Sequence, residues 1–159
     1  LAIRASKLAF ENLLAAYTEP SNREARNNLS LASMLAGMAF SQTGTSGSHA
    51  TSYYLTSHYG VPHGEACAFT MDAWFVINAE ANPEIQQHAR DIGFDDAEAL
   101  SEAFNALKRE MGLAMTFEDL GISREDIPQI AEESMQPANM KNNIAQLSKD
   151  EIIGMLEKK

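Results

Sequence analysis

Cysteine occurs once in this 159-residue chain, at Cys67, which excludes an internal disulfide framework and a zinc site built from cysteines. Clustered Lys and Arg are also missing. Only 12 basic residues stand against 22 acidic ones, a net charge of −10, whereas a nucleic-acid backbone rewards the opposite balance. No apolar run approaches the roughly 20 residues a membrane span needs, and no signal-peptide pattern opens the chain. No segment alternates apolar and polar residues over a strand's length, and neither repeats nor low-complexity stretches occur. The expectation is a soluble, cytoplasmic protein without nucleic-acid or membrane partners. What is present is globular: 45% hydrophobic and 21% charged residues, in a chain long enough for one real core.

The average charge hides an asymmetry. Residues 1–79 sum to −1 and residues 80–159 to −9, and three of the four histidines lie in the near-neutral part. The acidic part reads as solvated outer helices. Leu1 leads at once into a helical pattern, as expected of a chain cut from something longer.

Helical periodicity runs almost throughout, so the fold class expected is all-α, one helical domain over residues 1–159. Ala2 to Tyr17 carries one broad apolar face, and Thr18-Glu19-Pro20 ends it. Ser21 with Glu24 reads as a capping box for a second helix reaching about Ser41. That helix is apolar on every side (Leu29, Leu31, Met34, Leu35, Met38, Phe40) and is expected at the buried centre. Gln42 to Ser48 reads as a flexible small-residue loop, and Ala50 to Tyr59 as a helix closed by Gly60. Val61 to Gly64 is a tight turn before an apolar helix, Glu65 to Ala79. Further helices are expected near Pro83–Asp91, Asp95–Met111 and from Ser123 to about Met135. The last is capped by Ser148 and Glu151, with Lys158 and Lys159 at the negative end of its dipole.

His49, Tyr53, His58 and His63 form the one group of candidate ligands. His49 follows the small-residue loop and His63 follows Pro62, so two helix starts 14 residues apart can face one another across a centre. A helix N-terminus keeps an imidazole neutral and able to donate its lone pair, but it also repels a cation, so a carboxylate from elsewhere is wanted. Two such histidines are also common as caps or surface residues, and spacing alone leaves both readings open. Glu65 points elsewhere along its helix, and Asp72 lies two turns further on. His58 and His88 read as surface residues, and Cys67 as a small buried hydrophobe. Ser46, Ser48 and Ser52 lack the strand–turn–helix context of a nucleophile, and GTSG does not complete a phosphate-binding loop.

The stretch LASMLAGMAFSQTG (Leu31–Gly44), then Ser48-His49 and Val61-Pro62-His63-Gly64, resembles the iron-containing (group III) alcohol dehydrogenase family. The likeness continues through NPEIQQHARDIGF, LGISREDIP and LSKDEIIGMLEK, essentially the whole chain. It implies the helical C-terminal domain of dehydroquinate synthase-like and iron-containing alcohol dehydrogenases, with the dinucleotide-binding domain absent. By the same likeness His49 and His63 are two metal ligands. Two further ligands, an Asp-x-x-x-His pair, lie on an earlier helix in that family, and residues 1–19 hold neither Asp nor His. Tyr53 stands where many members carry a histidine beside the nicotinamide, and it becomes a pocket candidate able to hydrogen-bond substrate or relay a proton.

The implied reaction of the intact enzyme is hydride transfer between a small alcohol and its aldehyde or ketone, with NAD or NADP. A divalent metal supplies Lewis acidity. Fe²⁺ is the family's metal by name, while imidazole with carboxylate also suits Zn²⁺. The wording from His49 to Gly64 is nearest the branch acting on phosphonate-bearing aldehydes. The isolated chain is expected to be inactive and to bind metal weakly or not at all, and a homo-oligomer is compatible with the likeness. Competing readings are a glycerol-dehydrogenase-like or dehydroquinate-synthase-like member of the same superfold, and a non-catalytic helical interaction module.

Overall fold

Proline and glycine set the helix boundaries in the computed structural model, which describes residues 1–159. Helix α1 (Ala2–Thr18) ends just before Pro20, and α2 (Arg23–Phe40) begins after it. The cap of α2 is Asn22 rather than the expected Ser21: its side-chain oxygen accepts from the Ala25 amide at 3.1 Å. Asn caps as well as Ser, and here it stands at the spacing that reaches the third helical amide. Helix α3 (Gly47–Tyr59) starts three residues earlier than expected and closes on Gly60, whose φ of 70° only glycine adopts freely. Pro62 is the N-cap of α4 (His63–Ala81), so His63 is the first helical residue and not part of a turn. Proline suits that place because the first helical amides have no partner to lose.

The chain continues through α5 (Glu84–Ile92), α6 (Ala97–Glu110), a 3-10 turn at Arg124–Asp126, α7 (Ile127–Ser134), α8 (Ala138–Lys141) and α9 (Lys149–Leu156). The short α8 has no counterpart in the sequence reading. The Ser148–Glu151 capping box at α9 forms as expected. There is no strand, and the all-α class holds.

Helix α4 is the centre. It packs against α3, α5 and α6, while α7 bridges α3 and α9. Phe69 of α4 meets Phe117 edge-on at 5.1 Å, both side chains almost wholly buried. Burying each such ring contributes roughly 1.5–3 kcal/mol. Leu55, Ile130, Ile152 and Leu156 close the same core.

The helix expected at the centre, α2, lies instead at an edge. Only Ala25, Ala32 and Leu35 are buried, along α1, while Met34, Met38 and Phe40 are more than half exposed. An all-round apolar pattern requires cover, but within these residues only α1 supplies it. By contrast, none of the acidic residues of 80–159 is buried, in line with the outer-helix reading.

One polar cluster lies within the core. Asp72 of α4 is buried with Lys108 of α6 (3.5 Å) and Lys159, whose ammonium donates to Asp72 Oδ1 at 2.6 Å. Asn105 Nδ2 donates to the other carboxylate oxygen at 3.0 Å. Lys159 therefore turns inward to a carboxylate, rather than lying at the end of α9 as a charge on its dipole. A direct ion pair out of water outweighs a terminal half-charge.

Candidate metal centre

The first turn of α3 is positioned by groups nearly a hundred residues away. The Gly47 amide donates to Asn143 Oδ1 at 3.1 Å. Asn143 and Asn78 exchange hydrogen bonds at 2.8 and 3.1 Å, and Asn143 Nδ2 also donates to the Ala145 carbonyl at 2.8 Å. Asn142 Nδ2 donates to the carbonyls of Thr43 and Thr45, each at 3.0 Å, and Asn139 Nδ2 donates to Thr45 Oγ1. The segment read as a flexible loop is thus anchored to α8 and the turn after it, contacts that sequence proximity does not reveal. Gly47 itself leaves room for Trp74. A Cβ there would lie 2.7 Å from two indole carbons, closer than real contacts allow. The ring in turn donates to Thr51 Oγ1 at 3.3 Å, tying α3 to α4.

On this frame His49, third residue of α3, and His63, first residue of α4, face one another. Their ring centroids are 5.4 Å apart at 68°. Tyr53, one turn after His49 and exposed, stacks parallel to His63 at 6.1 Å. Cys67, one turn after His63, is buried, and its Sγ lies 3.7 Å from His63 Nε2. One ligand atom from each of His49, His63 and Cys67 lies within 4.8 Å of the others. The cup is closed by Cys67, half-covered at His49 and open at His63.

Ser52 lies beside the His63 ring. Its hydroxyl donates to the His49 carbonyl at 2.8 Å and stands 3.4 Å from His63 Nδ1. A hydroxyl has one proton, so toward Nδ1 it accepts. In the tautomer that makes this contact a hydrogen bond, Nδ1 carries the hydrogen and Nε2 keeps its lone pair, while the Cys67 sulfur lies 4.0 and 3.7 Å from the two ring nitrogens. This arrangement orients ligand histidines in metal sites. Burial, and then the nearby charge of His63, push the His49 pKa down, which keeps that imidazole neutral and ready to donate. Burial pushes the Cys67 thiol up, with the Ser52 hydroxyl acting the other way.

The other candidates lie apart. Glu65 accepts from the Ala114 amide at 3.1 Å, Asp72 is held in the lysine cluster, and no carboxylate joins the cup. His58 is exposed and stacks on Tyr54 at 3.8 Å, and His88 is exposed. The apolar groove between α1 and α2 is lined by Ala5, Ala9, Ala32 and Ala36 and carries no ligating side chain. Cys67 is buried, as expected, and its four-residue spacing from His63 places both on one helix face. Ser52, weighed in the sequence only as a nucleophile, lies beside His63 instead.

Two imidazoles and a thiol are donors for a borderline divalent cation, so the residues present fit a metal. Comparison with known proteins points the same way. Residues 1–159 match the Fe-containing alcohol dehydrogenase family, C-terminal. The fold superposes on the sulfoacetaldehyde reductase of Bifidobacterium kashiwanohense, solved in complex with NAD⁺, with a TM-score of 0.92. The two are 38% identical over 98% of this chain and 42% of that one. The 1,3-propanediol dehydrogenase of Citrobacter freundii is 34% identical over 89% of this chain and 39% of its own length. The sulfoacetaldehyde reductase of Bilophila wadsworthia (strain 3_1_6) is 31% identical over 99% of this chain and 44% of its own length. The chain spans about two fifths of these relatives. With its whole length matched, it belongs to the Fe-containing alcohol dehydrogenase family and corresponds to the C-terminal part of its members.

Proposed function

We propose that these residues form the metal-holding helical part of an NAD(P)-dependent dehydrogenase that interconverts a small alcohol and its aldehyde. The observation that carries this reading is the convergence of His49 and His63 from two helix starts, with the Ser52 hydroxyl 3.4 Å from His63 Nδ1. His49 and His63 would hold a divalent cation, Fe²⁺ or Zn²⁺. When bound, that cation supplies Lewis acidity at the alcohol or carbonyl oxygen.

The chain's own residues do the rest of the positioning. Asn143 and Trp74 fix the first turn of α3, and Ser52 fixes the His63 ring. Tyr53, stacked on that ring at the open side, is placed to hydrogen-bond the substrate oxygen or pass a proton to solvent. The substrate class proposed is a two-carbon aldehyde bearing a tetrahedral anionic group, a sulfonate or phosphonate. The likeness to two sulfoacetaldehyde reductases favours it over an uncharged diol. The dinucleotide would be bound outside these residues, which contain no strand for a nucleotide-binding sheet. By themselves they should form no NAD(P)H from alcohol.

The deciding experiment is metal content per chain, with circular dichroism as the check on folding. In the full-length protein, folded His49→Ala and His63→Ala variants should each lose most of the metal that the parent retains after dialysis. Unchanged metal in both would overturn the reading and favour a helical module whose histidines only pack.

A further inference from the structure

We propose that in the intact protein the apolar groove between α1 and α2 is filled by a helix from the part of the polypeptide that precedes these residues.

The groove has a volume of about 570 Å³ and is lined mainly by small side chains, with Ala5 and Ala9 from α1 facing Ala32 and Ala36 from α2. Such a floor lets a third helix approach both at once, near the lower end of the usual separation of about 8–10 Å between axes. The apolar surface runs beyond the groove, since Met34, Met38 and Phe40 are each more than half exposed. No charged residue occurs from Asn27 to Ser48, so α2 has no charged outer face over most of its length. A helix of this kind belongs to an interior, whereas a patch for a transient partner keeps a polar rim. The cover it requires is permanent and wide.

Length and place identify the source of that cover. The match is to the C-terminal part of the family, and more than half of each relative's length lies outside it. The groove opens beside Ala2, within direct reach of a preceding segment. Its other end is closed by Phe40 and Thr43, which lead into the first turn of α3 and so to His49. An occupant lies along the approach to the metal centre, where a segment of the same polypeptide stays in place through turnover.

The test is maleimide labelling of the full-length protein carrying Ser33→Cys, with Ser21→Cys as reference and the labelled peptides quantified by mass spectrometry. Both serines are exposed in these residues, Ser33 on the groove and Ser21 in the turn between the two helices. A covering helix should slow labelling at position 33 about 100-fold or more relative to position 21, at every protein concentration, and urea should abolish the difference. Equal rates in the folded protein would mean an open groove and overturn the proposal. Protection that fades on dilution would put a second copy of the chain there and overturn it too. Where Ser33→Cys fails to fold, hydroxyl-radical footprinting of the unmodified protein decides. Phe40 and Tyr17 are equally exposed in these residues, at 54% and 55%. After correction for intrinsic reactivity Phe40 should oxidise about tenfold more slowly, and equal rates again overturn the proposal.

Discussion

Removing the Asp72 carboxylate is expected to destabilise the chain more than any other single charge change. Asp72 is buried, Lys108 is 1% exposed and Lys159 8%, so Asp72→Asn leaves two ammonium groups out of water with no countercharge. Breaking a buried pair in this way costs about 3–5 kcal/mol. For a chain of this size that is a fall in Tm of roughly 6–20 °C. The pH dependence gives a sharper signature than the magnitude. Burial alone would raise the Asp72 pKa, but hydrogen bonding and charge from Lys159, with Asn105 and Lys108, hold it below the usual carboxylate value. Its stabilising contribution is therefore complete above the unfolded value of about 3.9 and is lost as pH falls through the lower native one. Burial and the charge of Lys159 push Lys108 down to about 8, against the pull of Asp72. Without Asp72 the lysine falls further below about 8, so the variant relieves its unpaired charge at a lower pH than the parent does. Between those two values the folded variant holds fewer protons than the folded parent, so the variant gains stability on the parent as pH rises. The deficit should shrink on the acid side as pH falls through the native Asp72 value, shrink on the alkaline side on the approach to pH 8, and change no further through Lys108 above it. Urea melts of the two proteins from pH 3 to pH 10 measure it. A deficit below about 1 kcal/mol at pH 5, or one that stays flat from pH 5 to pH 8, would refute the account of this cluster.

Two further substitutions probe the frame of the metal centre. Gly47→Ala sets a methyl against the Trp74 indole, and overpacking of this kind costs about 1–3 kcal/mol; Trp74→Phe in the same chain should restore part of it, and additive losses in thermal melts would argue against the clash. Ser52→Ala removes the hydroxyl 3.4 Å from His63 Nδ1, so metal affinity of the folded full-length protein should fall about 10- to 100-fold, and an unchanged titration curve would remove Ser52 from the site.

How much of this was legible in sequence depended on whether the cause is local. Caps and stops lie within a turn of what they control, and Gly60, the Ser148–Glu151 box and the break at Pro20 fell where the residues indicated. His49 and His63 were legible because each follows a recognisable helix start. The place of His63 at the head of α4, directly after Pro62, was legible for the same reason. The burial of α2 was misjudged for a different reason. Apolar composition reports that a surface wants cover, not which element supplies it, and here α4 takes the centre while Met34, Met38 and Phe40 face outward. The anchoring of residues 43–47 by Asn139, Asn142 and Asn143 leaves no local trace, since the partners are more than ninety residues apart. That distance has a physical consequence for the centre. His49 is held by a polar clamp that forms only when α8 and the turn after it have docked, so the ligand geometry depends on the completed tertiary fold and not on α3 alone. On the proposed reading, a metal held at His49 would favour the docked state of the 138–145 segment by linkage, and Asn143→Ala should lower metal affinity as well as stability.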